Sequence, residues 1–376
     1  MKIELAEVFL LSLPLSQPLN HHIISRTYTD NIVVRLRSNG LDGYGEGVPR
    51  SYVTGETARS AIDFIKGTLI PPLAGRDFAS IEEVRVHLFD SNKSLRCQNN
   101  LSAFCAVELA LLDLACKWWD CSLESVYRAR WRQPPPYSAV VPLLPPSRLE
   151  HFLSRLKQND MRNIKLKVGA RIDPTVFEKT LSILGPDVDL RVDVNGAWTE
   201  QNALKNIERL GTYGVRAVEQ PVAKRNLQGL KKVASQSVIP IIADESVCSF
   251  DDARRLLDMK ACHAFNVRLS KCGGFSGSLA ILDMAKTQGL RCQIGCQVGE
   301  TGILSAAGRH VAGWSDGLLY LEGSFGTWVL QEDIVEEDIR FGQAGHAPPL
   351  AGKGLGVNVR EESLEKYSKR SETVRL

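Results

Sequence analysis

The chain has 376 residues, of which 44% are hydrophobic and 24% are charged, as is ordinary for a globular protein. Its formal net charge of +3 is too small to argue for binding to nucleic acid or to an acidic membrane surface. The chain begins with a strand-like alternation, which is a poor signal peptide, and no apolar run approaches the roughly 20 residues of a spanning helix. The nine cysteines contain no C-x-x-C, so we expect free thiols in a reducing cytoplasm.

The first third of the chain has the order strands, then helices, which is typical of an α+β unit. Residues 2–12 and 31–38 resemble strands, and the polar stretch 16–30 between them predicts a loop. Alternation around Asp42-Gly43 predicts a hairpin. Apolar spacing then predicts helices near residues 56–68, 80–91 and 100–120.

A proline-rich break at residues 132–137 separates this unit from a strictly alternating pattern of strands and helices. Alternation predicts a parallel sheet, and eight strand candidates predict a closed β/α barrel. An open, doubly wound sheet is the competing fold, but no glycine-rich nucleotide-binding motif follows a strand. The strand candidates are residues 138–144, 161–168, 188–194, 215–219, 238–244, 263–269, 290–295 and 317–322.

Five ionisable residues recur at intervals of 25 to 27 residues, each at or just past the end of an apolar run. In a β/α barrel, such residues lie at the carboxyl ends of successive strands, and these ends converge on one mouth. We therefore expect a single proton-transfer site built from Lys167, Asp193, Glu219, Asp244 and Lys271.

The types of these residues indicate metal-assisted chemistry. Three hard carboxylate donors suit Mg²⁺ or Mn²⁺, whereas three separate salt-bridged acids are the plainer alternative. Lys165 and Lys167 alternate with apolar residues, so both are expected on the inner face of their strand. Lys271 would approach from across the barrel. One lysine could then remove a proton from one face of a substrate carbon, and the other could return it to the opposite face. A structural ion pair with the acids is the alternative for the lysines.

These motifs resemble those of the enolase superfamily, and they are most similar to its muconate-lactonising subgroup. The resemblance covers nearly the whole chain, including the glycine-rich segments 43–47 and 354–357. It is carried by Lys165-x-Lys167, Asp193 with Asn195, Glu219-Gln-Pro, Asp244-Glu245 and Lys271-x-Gly-Gly.

The resemblance implies a two-part α/β fold. Residues 133–325 would form a (β/α)7β TIM-like barrel, and residues 1–132 would form an α+β capping domain. The tail, residues 326–376, would return to that capping domain. Relatives are often oligomers, so we also expect a homo-oligomer.

The resemblance also implies a reaction. Its shared step is the removal of a proton α to a carboxylate, while Mg²⁺ (or Mn²⁺) on the three acids stabilises the resulting enediolate. Lys167 and Lys271 would be the acid and base catalysts. Lys165 would be an electrostatic helper, and Glu245 would be a partner of Lys271.

Substrate choice in this subgroup is set by two cap loops and by the ends of the seventh and eighth strands. The first loop also offers the pair His21-His22, which is expected to form a polar contact rather than a metal site. Two arginines of these loops would grip a distal carboxylate, unless they are solvated surface residues. The expected substrate contacts are Arg26, Arg50, Tyr52, Asn195, Gln297, Glu300 and Glu322.

The two lysines favour a racemase or epimerase of an amino-acid-derived or other carboxylate. A muconate-type cycloisomerase or a related lyase, such as an o-succinylbenzoate synthase or a dehydratase, is the alternative. A Schiff-base aldolase and a non-catalytic binding protein are the more remote readings. Two details weigh on this choice. Arg268 stands where relatives often have lysine, and the direction of its side chain is left open. Dipeptide epimerases commonly have Asp-x-Asp on the eighth strand, whereas this chain has Tyr320-Leu-Glu322 and lacks the first acid.

Overall fold

A computed structural model of the protein describes residues 1–20, 25–94 and 99–376, without the side chains of residues 19, 20, 25 and 92–94. Its strands are β1 (Leu5–Asn20), β2 (Ser25–Ser38), β3 (Leu41–Gly47), β4 (Ala139–Val141), β5 (Asn163–Lys167), β6 (Asp189–Asp193), β7 (Ala217–Glu219), β8 (Ile241–Ala243), β9 (Ala264–Val267), β10 (Arg291–Ile294) and β11 (Ser368–Arg375).

The α-helices alternate with these strands through most of the chain. They are α1 (Ala58–Phe64), α2 (Ile81–Ser94), α3 (Leu101–Trp118), α4 (Leu123–Tyr127), α5 (Pro146–Gln158), α6 (Pro174–Leu184), α7 (Glu200–Gly211), α8 (Leu227–Gln236), α9 (Phe250–Met259), α10 (Leu269–Cys272), α11 (Gly274–Thr287), α12 (Gly302–Trp314) and α13 (Glu361–Tyr367). A π-helical turn, Ile65–Leu69, continues α1.

An antiparallel sheet of order β11-β1-β2-β3 forms the N-terminal unit. The turn between β2 and β3 is Asn39-Gly40, with φ angles of 46° and 77°. Asn-Gly favours this kind of two-residue hairpin turn, because both of its residues tolerate positive φ. The predicted hairpin around Asp42-Gly43 is therefore misplaced, since those residues lie inside β3.

The predicted loop over residues 16–30 is largely extended chain in the structure. β1 runs on to Asn20 and β2 begins at Ser25, and Leu13 pairs with Thr29 within this ribbon. Backbone pairing sustains these strands even though their side chains are polar. Polarity alone did not reveal this pairing. The predicted pair His21-His22 lies outside the described residues.

Seven parallel strands follow in the order β10-β9-β8-β7-β6-β5-β4. The predicted eighth strand contributes chiefly Leu321, which bridges Ile294 on one side and Tyr137 on the other. The backbone N–H of Ser138 donates to the carbonyl of Leu321 at 2.7 Å, and that of Glu322 donates to Ile294 at 2.8 Å. These bonds join the two edges of the sheet, so the predicted (β/α)7β barrel is confirmed.

Helix α3 lies between the N-terminal sheet and the barrel, and its residues 101–116 are all buried. Gly43, Gly45 and Gly47 of β3 face this helix, where a Cβ atom on any of them would collide with its backbone. Close approach of strand and helix therefore requires glycine at these positions.

The C-terminal tail returns to the N-terminal sheet, as predicted. β11 pairs antiparallel with β1, and the N–H of Leu355 donates to Asp113 of α3 at 2.8 Å. The exact limits of the two domains stay a prediction. The eight cysteines in the described part of the chain are free, as expected. None of the helices described is both long enough and apolar enough to cross a membrane.

Candidate active site

Three acids lie side by side at the carboxyl ends of consecutive barrel strands. Asp193 ends β6, Glu219 ends β7 and Asp244 directly follows β8. Asp193 and Glu219 are direct neighbours in the parallel register. All three are at most 1% exposed. Carboxylates this deeply buried must be compensated by nearby cations.

Cationic side chains surround these acids. The Nζ atom of Lys167 lies 3.2 Å from Asp193, and that of Lys165 lies 3.3 Å from Glu219. The guanidinium of Arg268 contacts Asp244. The two lysines therefore reach the acids from the β5 side of the site, as the period-two pattern predicts, whereas Arg268 reaches them from the β9 side.

The charges of this cluster hold one another ionised. Burial opposes ionisation of Asp193, but Lys167, Lys165 and Arg268 together hold the pKa of this carboxyl well below its usual value. Burial likewise opposes the charge on Lys165, yet Glu219 and neighbouring acids raise its pKa above the usual value. These acids therefore favour the charged form of Lys165, and its role as an electrostatic helper stays a prediction.

Two further polar residues orient Glu219. The side-chain amides of Asn266 on β9 and Gln293 on β10 donate to its carboxylate at 2.9 Å and 2.8 Å. These two residues are opposite each other in the parallel register, and both are fully buried. Sequence reasoning missed them. The available signal was an amide side chain at the third position of both β9 (AFNV) and β10 (RCQI).

The donor set of Asp193, Glu219 and Asp244 fits a hard divalent cation in chemistry, burial and register. As placed, however, no three acids, histidines or cysteines of the described residues converge closely enough to hold a metal ion. Arg268 is one reason why the three acids do not converge, because its guanidinium contacts Asp244 and lies 3.7 Å from Glu219. Binding of a dication by all three acids would require this side chain to move.

Lys167 is the lysine of this site that reaches the barrel mouth. Its side chain is 17% exposed, whereas that of Lys165 is 3% exposed and that of Lys271 is fully buried. Its ammonium also donates to Asn195 Oδ1 at 3.0 Å, and Asn195 donates to Glu245 at 3.1 Å. Asn195 therefore positions the Lys167 ammonium at the mouth.

Lys271 lies beside Asp244, and its role in proton transfer stays a prediction. It lies in α10, four residues beyond the end of β9, and its Nζ atom donates to the carbonyls of Asp244 and Asn266 and to Asp244 Oδ1. The expected pair with Glu245 is not found within ion-pair distance among the described residues. Lys271 instead supports Asp244, and burial lowers its pKa.

Glu322 was expected to contact the substrate, but its carboxylate is occupied inside the barrel. One oxygen lies 2.7 Å from the Nζ atom of Lys165, and the other contacts the guanidinium of Arg191. Burial opposes its ionisation, yet these two cations lower its pKa to about 2. Glu322 is therefore the counter-charge of two buried cations, and its contact with a substrate stays a prediction.

Arg50 was also expected to contact the substrate, yet it is 3% exposed and holds the cap against the barrel. Its guanidinium donates to Thr29 Oγ1 at 2.6 Å, to the Asp30 carbonyl at 3.0 Å and to the Val298 carbonyl at 3.2 Å. These bonds leave little capacity for a ligand carboxylate.

Four other predicted contacts lie on three separate segments. Arg26 lies over the ring of Tyr52 at 5.7 Å, and its Nε atom is buried without a hydrogen-bond partner. The amide nitrogen of Gln297 is likewise buried and unpartnered. Glu300 accepts from the Gln297 backbone at 3.1 Å, and burial raises its pKa to about 8.

Comparison with known proteins covers almost the entire chain. Residues 148–363 match the family model described as Enolase C-terminal domain-like. Residues 5–126 match the N-terminal domain of mandelate racemase / muconate lactonizing enzyme.

Relatives with different substrates resemble the chain to a similar degree. The N-succinyl-L-Arg/Lys racemase of Bacillus cereus is 27% identical, with 100% of both chains covered. A chloromuconate cycloisomerase of Pseudomonas sp. is 29% identical, covering 98% of this chain and 100% of that protein. A dipeptide epimerase from Cytophaga hutchinsonii, solved with Mg and D-Ala-L-Val, superposes with a TM-score of 0.89 at 25% identity, covering 100% of both chains. The chain therefore belongs to the mandelate racemase/muconate lactonizing enzyme family of the enolase superfamily and is an isomerase of that superfamily.

Proposed function

We propose that this protein is an Mg²⁺-dependent isomerase that removes the proton α to the carboxylate of a small-molecule substrate. The observation that carries this proposal is the row of Asp193, Glu219 and Asp244, with the partly exposed Lys167 beside it. A dication on these oxygens would stabilise the negative charge that develops on the substrate carboxylate. Mn²⁺ would supply the same chemistry.

Residues of the chain transfer the proton, stabilise the charge and orient Glu219. Lys167 accepts the α-proton at its Nζ atom, and Asn195 orients that atom. Lys165 stays charged and stabilises the anionic intermediate. Asn266 and Gln293 hold Glu219 in a fixed orientation before substrate binds.

The first candidate is a racemase or epimerase of an amino-acid derivative. It is supported by the racemase and epimerase among the relatives. Arg26, Tyr52 and Gln297 are the proposed substrate contacts, because Arg26 and Gln297 have unpartnered buried nitrogens that an acylated or dipeptide substrate can satisfy.

The second candidate is a cycloisomerase of muconate type or a related lyase. One structural observation favours it. Lys271, the expected base for the second face of the substrate, is fully buried and has three acceptors for its ammonium group. A cycloisomerase or lyase can operate with a single lysine.

Proton exchange in D₂O tests the proposal. The α-proton signal is followed by NMR with N-acyl amino acids, dipeptides and muconates, in the presence of Mg²⁺. We expect exchange or turnover with at least one compound. Lys167→Met should reduce it by about 10²–10⁴-fold, the usual contribution of a general base.

The matched control is Lys232→Met, which removes a lysine whose side chain is 56% exposed on α8. It should retain the wild-type rate. Exchange that survives unchanged in Lys167→Met would contradict the proposed role of this lysine.

A further inference from the structure

The second cap loop (residues 51–55) is short and is fixed at both ends. Arg50 precedes it and Glu56 follows it, and these two residues are 3% and 1% exposed. The Arg50 guanidinium donates to the Asp30 carbonyl at 3.0 Å, and Glu56 accepts from the backbone N–H of Ser102 at 3.1 Å. Since these anchors hold only the ends, the position of the residues between them depends on contacts of their own.

The middle of the loop forms a single tight turn. The backbone N–H groups of Val53 and Thr54 both donate to the Arg50 carbonyl at 2.9 Å. Carbonyl groups at the carboxyl end of a helical turn have no partner within that turn, and a positive charge is favourable there. The turn therefore offers the carbonyls of Tyr52 and Val53 to a donor from the neighbouring barrel.

Lys224 is that donor. It lies between β7 and α8, and its Nζ atom donates to the carbonyls of Tyr52 and Val53 at 2.8 Å each. The side chain is half-buried, and no ion pair with an acid is found for it among the described residues. The ammonium of Lys224 thus faces two consecutive carbonyls of the cap.

The backbone of Lys224 is in turn held by the barrel. Its carbonyl accepts from Ser246 Oγ at 2.9 Å, and this hydroxyl accepts from the side-chain amide of Gln220 at 2.8 Å. Gln220 directly follows β7 and is fully buried, and Ser246 follows β8 and is 7% exposed. Lys224 therefore extends from a buried hydrogen-bond network of the barrel to the cap.

Tyr52 is the residue whose position this contact sets. The Arg26 guanidinium lies over the Tyr52 ring at 5.7 Å, and the Nε atom of Arg26 is buried without a partner. Lys224 holds the carbonyl of Tyr52, so it fixes the backbone that carries this ring. The same contact thereby places the aromatic surface against which Arg26 lies.

We propose that Lys224 is a positioning residue that fixes the second cap loop over the barrel mouth and thereby determines substrate selectivity. This inference rests on the proposed function and deepens it, because Arg26 and Tyr52 are proposed substrate contacts. Lys224 acts through the backbone of the loop rather than on the substrate. Its loss should therefore weaken binding of the part of the substrate that faces the cap, while proton transfer at Lys167 continues.

Amide hydrogen exchange tests the contact without any substrate. Exchange is followed in the full-length protein by mass spectrometry of peptides that cover residues 50–56, whose Val53 and Thr54 amides close the turn. Lys224→Met removes a charged donor, so these amides should exchange about tenfold faster than in wild type. Lys224→Arg, which keeps a charged donor, should recover most of the protection.

The matched control for this experiment is Lys232→Met, on the neighbouring helix α8, where the lysine side chain is 56% exposed. It should leave the exchange of residues 50–56 at the wild-type rate. Unchanged exchange of these residues in Lys224→Met would overturn the inference, because the loop would then be held without the lysine.

Kinetics with N-acyl amino acids, dipeptides and muconates test the effect on selectivity. For the substrate that wild type prefers, Lys224→Met should raise KM by about tenfold with kcat nearly unchanged, which is the pattern of lost uniform binding. The preference among the panel compounds should shrink, and Lys224→Arg should restore part of it. A lowered kcat at unchanged KM, or an unaltered preference, would overturn the role in selectivity.

The two experiments distinguish a failure of this inference from a failure of the proposed function. If wild type turns over no compound of the panel, the proposed function fails. The amide exchange needs no turnover, so it still supports or overturns the positioning of the loop by Lys224.

Discussion

Glu322 joins Lys165 to Arg191 across the inside of the barrel, with one carboxylate oxygen for each cation. All three side chains are at most 3% exposed. Breaking a buried pair by removing one partner leaves an uncompensated charge, which costs about 3–5 kcal/mol. Lys165 thus links the acid cluster to a second group of buried charges.

We expect Glu322→Gln to lower the free energy of unfolding by about 3–5 kcal/mol, because it leaves two buried cations with one neutral acceptor. Denaturant unfolding measures this loss. Glu178→Gln, at an exposed position of α6, is the matched control and should stay within about 0.5 kcal/mol of wild type. A loss as small as that of the control would show that the network is not a stabilising one.

Glu108 on α3 gives a pH-dependent prediction. Burial raises the pKa of Glu108 to about 7, and one of its oxygens has no hydrogen-bond partner. The folded state therefore holds this proton more tightly than the unfolded state, where glutamate titrates near 4.3. Its contribution to stability is fully present below about pH 4 and is lost as the pH rises towards 7.

Glu108→Gln removes this titration while it preserves the shape of the side chain. We expect the stability of the variant relative to wild type to increase between about pH 5 and pH 8, by up to about 3 kcal/mol. Urea unfolding at several pH values measures the difference. A constant difference over this range would mean that Glu108 is ionised throughout.

Mg²⁺ should stabilise the folded protein, since a ligand bound only by the folded state adds about 2.7 kcal/mol at 100 times its Kd. We expect a rise in Tm with Mg²⁺ and with Mn²⁺. Glu219→Gln should abolish most of this rise, and Glu178→Gln should retain it. A protein whose Tm is indifferent to both ions would favour the non-catalytic binding protein.

We expect the Arg50 side chain to stabilise the loop that carries Gln297. Its guanidinium ties β2 to the carbonyl of Val298, so Arg50→Met leaves buried carbonyls unpaired at a cost of about 1–3 kcal/mol. We expect this loss of stability together with a raised KM, because the loop is less firmly held. Arg59→Met, at a site 87% exposed, is the control. A raised KM without any loss of stability would instead point to direct substrate contact.

The sequence alone was sufficient to predict the positions of residues that lie on regular strands or at their ends. Lys165 and Lys167 follow from period two within β5, and Asp193 and Glu219 follow from the spacing of strands. These positions are dictated by backbone geometry, which a sequence pattern reports directly.

The surroundings of Lys271 were not predicted, because even spacing does not show where a strand stops, and its role as a proton-transferring residue stays a prediction. β9 ends at Val267 and the chain turns at once into α10, so Lys271 lies four residues beyond the strand and is buried. The hydrogen bonds and ion pairs of Arg50 and Glu322 were not predicted for a related reason, and their contact with the substrate stays a prediction. Their partners come from distant parts of the chain, and a single sequence does not report such contacts.

The central claim is that Lys167 is the base that removes the α-proton of a carboxylate substrate, while Mg²⁺ on the three acids stabilises the developing charge. Exchange of the α-proton in D₂O tests this claim most directly. The measurement compares wild type with Lys167→Met, each with Mg²⁺ and after chelation of the metal. We predict exchange by the wild-type enzyme with Mg²⁺ and a loss of about 10²–10⁴-fold in the variant. Exchange that is equally fast in Lys167→Met, or no exchange or turnover with any carboxylate of the panel, would contradict the claim.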